Sequence, residues 1–264
     1  MSQPEFDPRR FRSTVPFYAR YRLAYPAELI ARVGQFAGLA PGDAVMDLGC
    51  GPGLLAVPFA QAGMKVMGID PEPDMLAVAS EGARAAHVDI DFRQASSFDL
   101  PADIGPFKLV TMGRSFHWMD RAETLRVLDG LIAPGGAIAL FADDHPRTAE
   151  NAWLDTLRNA GGRYGAQLAE HRAAARQSDY RSSVSLLFDS PFSQIERIGV
   201  FVRRPITADE IVGRAFSLSM LSPEKLGEKA RAFESDLRAA LAVISSEGLF
   251  TEIAELAAIA ARRE

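Results

Sequence analysis

Short apolar runs alternate with segments of helical periodicity across roughly residues 44–141, the pattern of a parallel sheet whose strands are joined by crossover helices. Five strands are expected: Ala44 to Leu48, Lys65 to Ile69, Ile90 to Gln94, Lys108 to Met112 and Ala137 to Phe141. The turn chemistry between them agrees. Pro41-Gly42-Asp43 precedes the first strand, Gln61-Ala62-Gly63 closes the first helix, and Pro134-Gly135-Gly136 ends the helix that leads to the fifth strand. Glycine and proline at such points break helices and admit turns.

Outside this unit the pattern loosens. Tyr25 to Val33 reads as a helix with Pro26 in its first turn and Leu29, Ile30 and Val33 on one face; an arm rich in aromatic residues and arginine precedes it. Downstream, Ala149 to Ala160 reads as a helix, 161–185 as a polar insertion covering a substrate, and Ile195 to Arg203 as a strand. Thr207 to Phe216 reads as a helix capped by Thr207 with Glu210 three residues on, and Pro223 to Ile244 as one long amphipathic helix. Phe250 to Ala260 reads two ways: its alanines favour helix, whereas a strand beside residue 200 completes the sheet. The expected organisation is an arm and helix over 1–35, a core over 36–145 and a C-terminal part of the same fold over 146–264.

Composition narrows the class. The chain has 264 residues, 48% of them hydrophobic, enough for one large domain without metal or disulfide support. Its formal net charge of -5 offers no overall attraction to a phosphate backbone, so no nucleic-acid partner is expected. No apolar stretch approaches the roughly 20 residues of a membrane span, and the arginine-bearing start lacks an export-type apolar run; no membrane partner and a cytoplasmic location are expected. Cys50 is the single cysteine, which excludes an intramolecular disulfide.

In a doubly wound sheet, ligands bind beyond the carboxyl ends of the strands where strand order reverses. Asp47-Leu48-Gly49-Cys50-Gly51-Pro52-Gly53 leaves the first strand at that end, and glycines at 49, 51 and 53 let the backbone turn sharply against a ligand. The spacing misses the Gly-x-Gly-x-x-Gly of a dinucleotide site, because the sixth position is Leu54 counted from Gly49 and Ala56 counted from Gly51. Asp47 suits a ligand bearing an ammonium group. Asp70, at the end of the second strand, suits a ribose diol.

Val45 to Gly53, Gly68 to Met75, Gln94 to Pro101, Phe107 to Gly113 and Leu131 to Phe141 together resemble the class I S-adenosylmethionine-dependent methyltransferases, within the small-molecule (type 11-like) group. The resemblance implies an α/β fold: a doubly wound, mostly parallel seven-stranded sheet (the Rossmann-like methyltransferase fold), with an N-terminal helical arm and an insertion after the fifth strand. It implies S-adenosyl-L-methionine as cofactor, with Gly49, Gly51 and Gly53 against the methionine part and Asp47 orienting its amino group. Asp70 and Pro71 then lie at the ribose, Met75 borders the adenine, and Ser96, Ser97 and Gly113 complete the lining. One departure stands out. Where relatives carry an acid for the adenine amino group this chain has Ser96, which offers only a neutral hydrogen bond; Asp99 stands too close to Leu100-Pro101 to be the aligned residue. The arm from Phe17 to Pro26 resembles relatives in which such a segment folds over the cofactor. Tyr18 and Arg22 are its candidates, with Arg22 either pairing the cofactor carboxylate or standing in water beside the helix.

Gly113 to Asp120 bears on the acceptor, with Arg114, His117 and Trp118 as candidate substrate-binding residues and His117 as candidate catalytic residue. Methyl transfer is an in-line displacement that needs alignment and, for a protonated nucleophile, a base. His117 titrates in the right range. The His-Trp pair also resembles small-molecule carboxyl methyltransferases, in which His117 and Arg114 would hold an acceptor that is already an anion. A third reading has His117 and Trp118 packing the next helix. Asp143, Asp144 and His145 do not amount to a metal site, and none is expected. The expected activity is direct methyl transfer to an oxygen, less readily nitrogen or carbon, of a small organic acceptor. The rivals are a non-catalytic cofactor-binding protein, kept open by Ser96, and a nicotinamide-dependent oxidoreductase, opposed by the glycine spacing. Neither the acceptor's identity nor the oligomeric state follows.

Overall fold

The computed structural model describes residues 11–101, 103–165 and 181–263. β1 (Ala44–Leu48), β2 (Lys65–Asp70), β3 (Ile90–Gln94), β4 (Phe107–Gly113), β5 (Ile132–Asp144), β6 (Gln194–Thr207) and β7 (Leu249–Arg262) form one sheet in the order β3-β2-β1-β4-β5-β7-β6. β1 to β5 pair in parallel, and β7 runs antiparallel to both β5 and β6. The expected seven-stranded, mostly parallel sheet is therefore present, closed by one antiparallel hairpin. Strand order reverses between β1 and β4, which opens a crevice beyond their carboxyl ends.

Strand alternation divides the core. Val45 and Leu109 face α2 (Ala27–Ala37) and α3 (Ala56–Gln61), against Leu29, Val33 and Phe59. Met46, Leu48, Val110 and Met112 face the other way, toward Leu125 and Leu128 of α5 (Arg121–Leu131). A helix between β2 and β3, α4 (Pro73–Ala85), completes the crossovers. Past β5, α6 (Ala152–Arg163) is followed by α7 (Ser183–Phe188), and β6 leads into α8 (Ala208–Phe216), where Thr207 and Glu210 form the expected capping box. A third apolar cluster joins Trp153 of α6 to Ile211 and Phe216 of α8 and to Phe233.

Two local expectations are revised and one open alternative is resolved. Pro223 to Ile244 is not one helix: α9 (Pro223–Leu226) stops at Gly227, whose φ of 54° leaves the helical region, and α10 (Ala230–Ile244) restarts beyond a 3-10 turn. Pro134-Gly135-Gly136 lies inside the extended β5 segment, near the register shift against β4, and the preceding helix ends at Leu131. Phe250 to Ala260 is strand, since Ala254, Leu256, Ala258 and Ala260 alternate onto the face that packs α2. Of the insertion expected over 161–185, residues 166–180 lie outside the described residues. A helix of the arm, α1 (Val15–Tyr21), lies against α8.

Candidate cofactor and acceptor site

The loop after β1 is held by a complete set of local hydrogen bonds. Gly49 N and Cys50 N both donate to Ile69 O of β2, and Gly51 N donates to Asp70 Oδ2 at 2.8 Å. Gly49 (φ 71°) is required by contact as well as conformation, because a Cβ there would stand 2.5 Å from Ser115 Cβ. Gly51 (φ 52°) faces open space, with Met75 Sδ 4.0 Å from the place of a Cβ. Gly53 serves packing instead: its Cβ would press on Val57 at 3.3 Å and Ala79 at 3.4 Å.

Asp47 lies beneath this loop rather than on its ligand side. It is buried, accepting from Ala56 N at 3.1 Å and from Thr111 Oγ1 at 2.9 Å, so it anchors the start of α3 to β1 and β4. Burial raises its pKa to about 7, against those two hydrogen bonds. Asp70, although buried, is the acid that reaches the cavity wall. Its carboxylate accepts from Glu72 N at 2.9 Å and Gly51 N, and burial outweighs both to raise its pKa to about 6. An ionised carboxylate offers about four lone-pair sites; the two backbone donors leave the remainder for a ligand.

Asp70 opens into a cavity of about 490 Å³. Gly49, Gly51, Pro71, Met75, Ser96, Ser97 and Gly113 lie on its walls, as do Tyr18 and Arg22 from the arm and Arg114, His117 and Trp118 from the turn after β4. Of the fifteen candidates named from sequence, Asp47 and Gly53 alone are off the wall. Residues not expected at the cavity also contribute: Phe11, the segment Ser217 to Met220, and Asp143, which the sequence offered only as a rejected metal ligand. Ser96 is tied to Asp99, whose Oδ1 accepts from Ser96 N at 2.6 Å and from Ser96 Oγ at 2.5 Å. The local turn thus brings a carboxylate beside the serine despite its place in the sequence.

The two arginines differ in their commitments. Arg114, with φ 56°, aims its guanidinium at Asp143, donates to Leu23 O at 3.0 Å, and lies over the Tyr25 ring at 4.6 Å. Burial would raise the Asp143 pKa, but Arg114 and then Arg22 outweigh it and hold the acid at about 2. That pair is ionised at neutral pH and locally neutral. Arg22 lies over the Tyr18 ring at 4.9 Å and donates one Nη2 bond to Ser217 O at 3.3 Å, while its buried Nε has no protein partner. Arg22 lines the cavity, and its guanidinium charge there is suited to an anionic ligand group. Across the cavity, Trp118 meets Phe11 edge-on at 5.4 Å and its own neighbour His117 at 4.7 Å. His145 is engaged away from the cavity with Glu252 at 2.8 Å, and no metal-holding cluster occurs among the described residues.

With this geometry in place, the class follows from comparison. Residues 45–136 match the family described as a methyltransferase domain. The ubiquinone biosynthesis O-methyltransferase of Methylocella silvestris is 34% identical over 140 residues, which are 49% of this chain and 54% of that protein. An uncharacterized methyltransferase of Mycobacterium tuberculosis is 31% identical over 155 residues, 59% of this chain and 60% of that one. The chain thus spans little more than half the length of these curated relatives. In three dimensions it resembles the S-adenosylmethionine-dependent methyltransferase of Thiobacillus denitrificans, solved with S-adenosyl-L-homocysteine (TM-score 0.53, 18% identity, 98% of this chain and 99% of that). The [4+2]-cyclase SpnF shares the fold at TM-score 0.52 and 15% identity, over 92% of this chain and 83% of its own. Residues 45–136 thus match a methyltransferase domain, and the chain shares the fold of S-adenosylmethionine-dependent methyltransferases of known structure.

Proposed function

We propose that the protein transfers a methyl group from S-adenosyl-L-methionine to an oxygen of a small organic acceptor. The observation that carries this reading is the pairing, on the walls of one cavity, of a half-satisfied Asp70 carboxylate with the Arg22 guanidinium group. Asp70 would accept the ribose hydroxyls, and Arg22 would donate to the α-carboxylate. The wall left open at Gly51 accommodates the chain between those two anchors, and Met75, Ser96 and Ser97 line the side left for adenine. Bound there, the cofactor supplies an electrophilic sulfonium methyl. Asp47, enclosed under the loop, supports this site by holding Ala56 and Thr111.

The acceptor side is built by Phe11, His117, Trp118, Met119 and Met220. Aromatic edges and thioethers favour a flat apolar acceptor body, and His117 is the group on this wall suited to take the proton from a hydroxyl. Alignment does the rest, since a held nucleophile removes the orientational cost of displacement.

Calorimetric titration with S-adenosylmethionine and S-adenosylhomocysteine tests the cofactor; folded protein that binds neither refutes the proposal. Turnover is tested by S-adenosylhomocysteine release across phenols, carboxylic acids and amines. Cofactor binding without release from any of them would favour the non-catalytic alternative.

A further inference from the structure

We propose that Gly213 and Arg214 of α8 are positioning residues for the cofactor site, acting through the N-terminal arm; this rests on the cofactor reading above. Arg22 and Tyr18 reach the cavity from α1 and its end, and α1 has a specific seat. The Tyr21 ring packs against Gly213 so closely that a Cβ there would come within 2.3 Å of two ring carbons and 2.6 Å of a third. Phe17, stacked with Tyr21 at 6.5 Å, packs on Phe216 at 5.2 Å. Glycine in a helix interior is otherwise unfavourable relative to alanine, so its place in α8 is explained by the ring it admits.

Two buried guanidinium groups then fix the backbone on either side of Arg22. Arg214 Nε donates to Tyr21 O at 3.4 Å, and Arg114 Nη2 donates to Leu23 O at 3.0 Å. Each is held by a buried acid: Arg214 by Glu252 through both of its terminal nitrogens, and Arg114 by Asp143. Arg204 and His145 also bind Glu252, which brings β6, β7 and the segment after β5 into the same support. Arg22 Nη2 itself donates to Ser217 O, one residue beyond α8. Because Ser217 to Met220 also line the cavity, α8 sets the arm and that wall in one register.

The test is a cycle of Gly213→Ala, Tyr21→Ala and the double variant, read by calorimetric affinity for S-adenosylhomocysteine, by thermal melting, and by the rate of tryptic cleavage after the exposed Arg20. Gly213→Ala forces the ring off its seat and should weaken binding about fivefold to 150-fold, the range of ordinary overpacking, with faster cleavage of the arm. In the Tyr21→Ala background the same substitution should cost no further affinity and should raise the melting temperature, because only helix propensity then remains. Unchanged affinity in Gly213→Ala, or losses that simply add in the double variant, would overturn the proposal. A purely structural role would move melting without moving affinity. Wild-type protein that fails to bind S-adenosylhomocysteine would sink the cofactor reading instead; the seat is then judged by cleavage, which Gly213→Ala accelerates only if Gly213 holds the arm.

Discussion

The raised pKa of Asp70 makes cofactor affinity depend on pH in a direction that can be worked out. Burial is the largest cause and favours the neutral acid, placing the folded value at about 6 against an ordinary 3.8. The folded, cofactor-free protein therefore binds more protons than the unfolded chain between those values, and its stability falls as pH rises from about 4 through 6. Asp47, raised to about 7 by burial, acts in the same direction. A ligand whose ribose hydroxyls donate to Asp70 favours the ionised form, so affinity should move the opposite way, rising with pH. If only the carboxylate binds, the apparent dissociation constant scales as one plus the ratio of protonated to ionised acid. Between pH 7 and pH 5 this factor grows by about tenfold, from roughly 1.1 to roughly 11, and it levels off above pH 7. Calorimetry of S-adenosylhomocysteine binding in matched buffers from pH 5 to 7.5 measures it, and proton release near pH 6 gives an independent reading. Flat affinity across that range, or affinity that strengthens on acidification, would refute a ribose contact through ionised Asp70.

Arg114→Ala should destabilise the protein by about 3–5 kcal/mol, because it strands buried Asp143 without its partner; denaturant unfolding measures this, and a loss under about 1 kcal/mol contradicts the pairing. The depressed Asp143 pKa of about 2 contributes stability that is present above its ordinary 3.8 and is lost as pH falls toward 2, so the acid limb of an unfolding profile should flatten in Arg114→Ala. His117→Ala should lower kcat by about 10²-fold or more for a hydroxyl acceptor, with S-adenosylhomocysteine affinity nearly unchanged; a kcat within a few-fold of wild type removes the base role. Gly49→Ala should abolish cofactor binding through the contact at Ser115, and Ser115→Gly should restore part of it if that contact is the cause.

The parallel core was legible because buried strands announce themselves. Val45, Met46 and Leu48, like Leu109, Val110 and Met112, put apolar side chains on both faces of their strands, and the turns between strands carry glycine or proline. β7 was ambiguous for a physical reason: the face that meets α2 is filled with Ala254, Ala258 and Ala260, small because a helix packs closely there, and alanine propensity points to helix. Gly227 was the available sign that residues 223–244 break into two helices. In the site, the residues adjacent to β1, β2 and β4 could be named from their place at strand ends. Asp47 could not be separated from Asp70, since both are acids at strand ends and only the loop's path decides which one faces the cavity. Phe11, Asp143 and Ser217 to Met220 come from segments distant in the chain, and the Tyr21–Gly213 contact joins residues whose proximity no local pattern encodes.

The commitment of Arg114 also separates two readings of the acceptor that the sequence leaves level. An acceptor that arrives as a carboxylate needs a cation to offset its desolvation, and Arg114 with His117 was the expected holder. In the structure Arg114 is already neutralised by Asp143 and spends a further donor on Leu23 O, while Arg22, the other arginine on the cavity wall, is the residue proposed for the carboxylate of the cofactor itself. Among the described residues lining the cavity, no further arginine or lysine remains to hold a second anion. A neutral hydroxyl against Phe11 and Trp118 needs no such cation, but it does need its proton removed. An arrangement that disfavours an anionic acceptor is thus the one in which the proposed base role of His117 is needed. Matched acceptors that differ only in carboxylate against hydroxyl should differ in kcat/KM in favour of the hydroxyl, and the advantage should vanish in His117→Ala. A preference for the carboxylate that survives His117→Ala would return the anion-holding role to the turn after β4.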